Sequence, residues 1–150
     1  MSLVATSEGL VRVLLGTRLA EEKGPGGACE VADKAAEEVK QYFAGQLRHF
    51  TVPVQLEGLT DFQRAVLRAC EAIPYGVLVS YGALASKVAG SSRAARAVGQ
   101  ALRANPVPVF IPCHRVVRSD GRLGGFGAGL EWKVWLLALE GIPAEGRAVI

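Results

Sequence analysis

Apolar positions along the chain fall into blocks, each with its own period. Two short apolar runs, residues 3–6 and 10–15, predict extended segments at the start. After a glycine-rich turn at Gly24, Pro25, Gly26 and Gly27, the positions Val31, Ala35, Val39, Tyr42, Phe43 and Leu47 line one stripe. Asp33, Lys34, Glu37, Glu38 and Lys40 lie opposite, so residues 31–47 predict a helix that packs by one face. Pro53 interrupts any helix in the extended stretch 51–55, and the pattern changes after it. These blocks divide the chain into an N-terminal α+β domain over 1–53, a linker over 54–58 and a second domain over 59–150.

In the second domain, Thr60 followed by Gln63 is a capping-box start. Phe62, Val66, Cys70 and Ile73 then recur at helical spacing until Pro74. Ser80 can cap a helix with Leu84, Ala85 and Val88 inside. After Ala89, Gly90 and Ser91, a second helix over 92–103 carries Ala94, Ala97, Val98, Ala101 and Leu102 on its apolar side and Arg93, Arg96 and Arg103 among its polar positions. Two short helices joined by a turn containing glycine form either a helix-turn-helix or a plain helical corner. A last apolar helix over 130–140 contains Trp132, Trp135, Leu136, Leu137 and Leu139 and stops at Gly141 and Pro143. Glu140 falls in its final turn, where the helix dipole disfavours a carboxylate by about 0.3–1 kcal/mol. Either a surface carboxylate tolerates that cost or something compensates it.

Half of the 150 residues are hydrophobic and 21% are charged, which excludes a disordered chain. No stretch approaches the roughly 20 apolar residues of a membrane helix. The start, Met1 to Thr6, has no basic cluster or cleavable apolar segment, so a cytoplasmic chain is expected. The net charge of +3 hides a local excess. Between Ser80 and Arg122, Lys87, Arg93, Arg96, Arg103, Arg115, Arg118 and Arg122 face only Asp120, a net of +6. Such a window is either a solvated surface or a polyanion-binding face. Cys29, Cys70 and Cys113 are an odd number at wide spacing, neither a disulfide framework nor a paired metal motif. Cys29 reads as incidental, and Cys70, on an apolar stripe, as a small buried hydrophobe.

The third cysteine is different. Val107 to Ile111 reads as a buried strand-like run bracketed by prolines, which places Cys113 at the end of a rigid element. His114 and Arg115 are neighbours of the type that lower a thiol's pKa and make a nucleophile of it. Neighbours on an extended chain point to opposite sides, so a structural cysteine beside a solvated histidine stays open. A thiol working through histidine also needs a group to orient the imidazole, and Glu140 is the candidate.

The run Pro112, Cys113, His114, Arg115, Val116, Val117 resembles the active-site signature of the O6-alkylguanine-DNA alkyltransferases. The flanks agree: Ile73-Pro74-Tyr75-Gly76, Val79-Ser80-Tyr81-Gly82, Ala94-Ala95-Arg96-Ala97-Val98-Gly99, Asn105-Pro106 and the closing run from Lys133 to Gly141. The resemblance is dense over 61–141, and the first 50 residues share only size and general pattern. It implies an α+β fold with a small ribonuclease H-like N-terminal domain of sheet plus helix. A mostly helical, winged helix-turn-helix-like domain that binds DNA and carries the chemistry would follow.

The resemblance also implies roles. Cys113 would accept the alkyl group once per molecule, His114 would deprotonate it through a water, Glu140 would polarise His114, and Asn105 would brace the active-site turn. Tyr81, Ala94, Ala95, Arg96, Gly99 and Arg115 would meet double-stranded DNA carrying alkylated guanine, with Arg96 entering the duplex and Tyr81 pushing the phosphate as the base flips out. O4-alkylthymine would be a second substrate. Tyr81, Val116, Phe126 and Gly127 would line the pocket. Phe126 stands where a pocket tyrosine is common, and Gly127 leaves room, so bulkier adducts such as benzyl would enter. No cofactor is implied, and no metal: His49 and His114 are the only histidines. A monomer is expected. A non-catalytic reader of lesions and a cysteine hydrolase are the rival classes; Cys113 argues against the first, and the second would need an oxyanion hole and turnover, for neither of which the sequence supplies evidence.

Overall fold

The computed structural model describes residues 1–16 and 26–143, without the side chain of Cys29. Two compact units emerge, the first made of Met1–Gly58 with Pro106–Phe110, the second of Leu59–Asn105 with Ile111–Ile150. Helices and short two-stranded sheets together make a mixed α and β chain. Among the described residues no helix is long and apolar enough to cross a membrane.

In the first unit, β1 (Ser2–Thr6) and β2 (Gly9–Leu14) form an antiparallel hairpin in which Ser2 faces Leu14 and Thr6 faces Gly9. Helix α1 runs Gly26–Phe43, starting earlier and stopping earlier than the stripe predicts. Gly26 and Gly27 of the expected turn are thus helical, and Gly24 and Pro25 lie outside the described residues. Ala35, Val39 and Tyr42 are the buried positions of α1, at the i, i+4, i+7 spacing of one face. Glu38 is buried beside them because the backbone N–H groups of Thr51 and Val52 and the Thr51 hydroxyl all donate to its carboxylate.

The stretch expected to link the domains is part of this unit. Leu10 N–H donates to Pro53 O at 2.8 Å and Gln55 N–H to Leu10 O at 2.9 Å, so residues 53–55 run alongside β2. Pro106–Phe110 also belongs here: Val13 N–H donates to Pro106 O at 2.8 Å and the Phe110 ring lies 4.5 Å from that of Phe50. The expected strand over 107–111 is a turn instead. Pro106 and Pro108 lack the N–H groups that a ladder needs, and Val109 takes φ 78°, a left-handed conformation that costs a β-branched residue about 1–2 kcal/mol. Val107, Val109, Phe110 and Ile111 are nonetheless all buried, as the run of apolar residues requires.

The second unit opens with α2 (Asp61–Glu71), started by the capping box: Gln63 N–H donates to Thr60 Oγ1 at 3.1 Å and Thr60 N–H to Gln63 Oε1 at 3.0 Å. Val66, Leu67 and Cys70 face inward, whereas Phe62 stays partly exposed. β3 (Val79–Ser80) leads directly into α3 (Tyr81–Ala89), where the Ser80 hydroxyl accepts from Ala83 N–H at 3.0 Å. Gly90, at φ 69°, closes α3, a conformation that only glycine adopts without cost. A short 3₁₀ turn (Ser92–Ala94) then precedes α4 (Ala95–Arg103), so the predicted single helix begins as 3₁₀.

Further on, Cys113–Arg115 forms another 3₁₀ turn, and β4 (Val116–Val117) pairs in parallel with β3. Helix α5 (Leu130–Leu139) ends with Glu140 as its cap. Leu78, Val117, Leu137 and Ile142 cluster behind β4, which fixes the depth of the turn that carries Cys113.

Candidate active site

The turn that carries Cys113 is made by local backbone geometry. Pro112, at φ −82° and ψ 61°, sits at the centre of an inverse γ-turn closed by Cys113 N–H donating to Ile111 O at 2.8 Å. The following 3₁₀ turn spreads successive side chains by about a third of a revolution each. The objection that neighbours on an extended chain diverge therefore does not apply. Cys113 lines an open groove, while His114 and Arg115 both reach Glu140.

Glu140 is the centre of a buried network, which answers why a carboxylate sits at a helix C-terminus. Its oxygens accept from His114 Nε2 at 2.8 Å, Arg115 Nη2 at 2.8 Å, Arg115 Nε at 2.9 Å and Gly76 N–H at 3.1 Å. Burial pushes the Glu140 carboxyl up, but the hydrogen bonds and charges of His114 and Arg115 outweigh it and hold it well below the usual carboxylate range. Arg115 also donates through Nη1 to Ile73 O at 2.6 Å and lies over the Tyr75 ring.

Expectations for Arg115 are corrected by this placement. It is 5% exposed and committed to Glu140 and Ile73, so it does not belong to a DNA-facing surface. Nor do His114 and Arg115 make Cys113 acidic. Burial pushes the thiol above its ordinary value, opposed by the Asn105 hydrogen bond and the charge of Lys133. Burial likewise pushes His114 down, opposed by Glu140. At rest the pair is a neutral thiol and a neutral imidazole.

Asn105, just beyond α4, bridges the turn: its Nδ2 donates to Ile111 O at 3.1 Å and to Cys113 Sγ at 3.3 Å. Around the groove stand Tyr81, Ala95, Arg96, Gly99, Phe126 and Gly127. Ala94, in the 3₁₀ turn ahead of α4, is half-buried. Val116 was expected in the pocket but is fully buried behind the turn. Gly124 has φ 69° and packs beneath Tyr81; a Cβ there would stand 2.7 Å from the tyrosine Oη.

Arg93, Arg96, Arg103 and Arg118 surround the groove, so the basic window is real there, although Asp120 pairs with Arg118 at 3.4 Å and approaches Arg122 at 3.8 Å. Cys70 is fully buried on α2, as its stripe predicts. Sequence reasoning missed Lys133, which is fully buried with its ammonium on the carbonyls of Val116 and Leu123. A signal was present: Lys133 falls on the apolar stripe of α5 with Leu136 and Leu137, where a cation needs a reason.

Comparison with known proteins carries these observations to a family. The family model described as "6-O-methylguanine DNA methyltransferase, DNA binding domain" matches residues 61–142, the span from α2 to the end of the Glu140 cap. The methylated-DNA–protein-cysteine methyltransferase of Mycolicibacterium paratuberculosis is 48% identical over 71% of this chain, and the match spans 63% of that relative's length, under two thirds. The Methanosarcina acetivorans protein of the same name is 44% identical over 72% of this chain and 68% of its own. Among solved structures, Mycobacterium tuberculosis OGT in complex with DNA superposes with a TM-score of 0.80 at 39% identity, over 95% of this chain and 88% of that one. With the matched span holding Cys113, His114, Glu140 and the α3–α4 pair together, the chain belongs to the 6-O-methylguanine DNA methyltransferase family.

Proposed function

We propose that this protein repairs DNA by direct reversal, moving the alkyl group of O6-alkylguanine, and of O4-alkylthymine, irreversibly onto its own Cys113. The observation that carries the reading is the thiol at the groove floor, hydrogen bonded by Asn105 and adjoining the buried His114–Glu140 pair, beneath an arginine-ringed mouth. Because Nε2 of His114 faces the ionised Glu140, it carries the ring proton in the neutral imidazole, and the buried Nδ1 is the basic nitrogen. Through a water, Nδ1 takes the thiol proton as the S–C bond forms and the O6–C bond breaks. Guanine leaves with a proton returned to it. Among the described residues nothing returns the thioether to a thiol, so each molecule acts once.

The alkylated oxygen lies inside the base stack, and the base must be flipped into the groove at a cost of a few kcal/mol. Ala95 and Gly99 let the backbone of α4 approach the duplex closely, with Ala94 at its entry. Arg96 fills the gap left by the base, and Tyr81 turns the phosphate. Phe126 and Gly127 wall the base, Phe126 by stacking, and the open side at Gly127 admits benzyl adducts. We read the second unit as a winged helix-turn-helix carrying both DNA binding and chemistry, and the first as a reduced ribonuclease H-like domain. The active form is a monomer, since one chain supplies the whole relay, and it works where thiols stay reduced, as in the cytoplasm.

The test is intact mass after incubation with a duplex containing O6-methylguanine. One methyl in place of the Cys113 proton, saturating at one per chain and lost in Cys113→Ala, is the expected result. DNA bound by unmodified protein would make it a lesion reader, and sustained turnover would make it a hydrolase.

A further inference from the structure

We propose that Lys133 is a positioning residue of the transfer site, its buried ammonium fastening the segment after Cys113 to the pocket loop. The proposal rests on the reading of Cys113 as alkyl acceptor.

Lys133 Nζ donates to Val116 O at 2.7 Å, Leu123 O at 2.5 Å and Gly125 O at 3.3 Å, and stands 5.7 Å from the centroid of the Tyr81 ring. Three carbonyl acceptors call for three N–H donors, which only the ammonium form supplies. Val116 follows the acceptor turn directly, whereas Leu123 and Gly125 bracket Gly124, on which Tyr81 lies. One side chain therefore sets the distance between the floor of the groove and its wall. Among the described residues, 118–129 contain no helix or strand, so the loop has no ladder of its own to hold it there. A buried charge on an apolar stripe is a poor choice for stability alone, because a well-packed Met or Leu in its place is often neutral or stabilising.

The same ammonium acts on the chemistry. Asn105 Nδ2 reaches the Cys113 thiol at 3.3 Å, and Lys133 from α5, Cys70 from α2 and Tyr81 from α3 interact with it electrostatically. Lys133 opposes the burial that keeps the thiol protonated, and on His114 it disfavours the imidazolium. Both effects push the resting site towards a ready thiol and an unprotonated base.

The experiment compares wild type, Lys133→Met and Lys133→Arg in single-turnover transfer from an O6-methylguanine duplex and in iodoacetamide alkylation of Cys113 against pH. In Lys133→Met the maximal transfer rate should fall about tenfold or more while the half-saturating DNA concentration stays within about twofold. Its iodoacetamide profile should move to higher pH, and Lys133→Arg should restore the profile. A folded Lys133→Met with wild-type rate and profile overturns the proposal, as do Met and Arg variants equally slow with unmoved profiles. Should neither variant fold, the ¹³Cε resonance of Lys133 in the wild type decides. It must stay in the ammonium form to about pH 9 and shift when Cys113 is methylated; titration below about pH 8, or blindness to methylation, overturns the proposal. If the wild type transfers nothing from O6-methylguanine, the functional reading is what fails, and the iodoacetamide profiles still judge the charge.

Discussion

Replacing Glu140 by glutamine should damage this protein twice, in stability and in rate, and the two effects can be separated. The carboxylate is fully buried and neutralises Arg115, whose side chain is 6% exposed. Glutamine keeps the shape and one acceptor oxygen but leaves the guanidinium charge uncompensated in the interior. Breaking a buried pair from one side costs about 3–5 kcal/mol. For a chain of this length each kcal/mol is about 2–4 °C, so Tm should fall by about 6–20 °C in thermal unfolding followed by circular dichroism. The second variant, Glu140→Gln with Arg115→Met, removes the orphaned charge and should recover most of that loss. Rate behaves differently, because both variants lack the charge that orients and polarises His114. Single-turnover transfer at a temperature where each is folded should be slowed about a hundredfold or more in both. A Glu140→Gln protein melting within about 2 °C of wild type would refute the buried-pair reasoning, since the cost of an unpaired interior cation should then be visible and is not.

Three other outcomes follow from the same geometry. Stability should be greatest near neutral pH. His114 is held below its ordinary value, so the unfolded chain binds more protons and stability is lost as pH falls through about 6.5, with the depressed Glu140 adding to the loss below about 4.5. Cys113 and Cys70 are pushed up by burial, so stability should also decline above about pH 9, where unfolded thiols ionise; urea midpoints that are flat from about pH 4 to 7 would contradict the acid limb. Gly124→Ala meets both a positive φ and the Tyr81 ring, so it should displace the tyrosine and cut transfer from DNA, with a destabilisation of about 1–3 kcal/mol read by urea unfolding. Arg96→Ala should weaken transfer from duplex while sparing reaction with free O6-benzylguanine; equal losses on both would remove Arg96 from the duplex.

Much of the second unit was legible because its signals are local. Thr60 with Gln63, Ser80 ahead of α3 and the stop at Gly141 each depend on a few neighbouring residues, and each lies where the pattern puts it. The first unit was less legible. Whether 51–55 is a linker or packs alongside β2 depends on a partner some forty residues away, and the alternation of so short a stretch does not say. Val107 to Ile111 misled for a related reason. Its composition reports burial correctly, but two prolines forbid the ladder that burial of such a run ordinarily implies.

Charge was the property that sequence reasoning sorted least well, because a cation's meaning depends on which way it points. Arg115 belongs by composition to the basic window, and by structure to the buried network around Glu140. Lys133 lies outside that window and joins the pocket to the thiol from within. Subtracting Arg115 lowers the basic window without weakening it at the groove, since Arg93, Arg96, Arg103 and Arg118 remain around the mouth. The cations thus divide by depth. Those at the mouth are placed for polyanion attraction, which salt screens, and a phosphate backbone would meet them first. The two inside sit in a low dielectric, where each is paired or hydrogen bonded: Arg115 helps hold Glu140 ionised, and Lys133 opposes the burial that keeps the Cys113 thiol protonated. High salt should therefore slow capture of the duplex while leaving the rate from free O6-benzylguanine nearly unchanged. Parallel slowing of both would mean that the relay is more open to solvent than its burial implies.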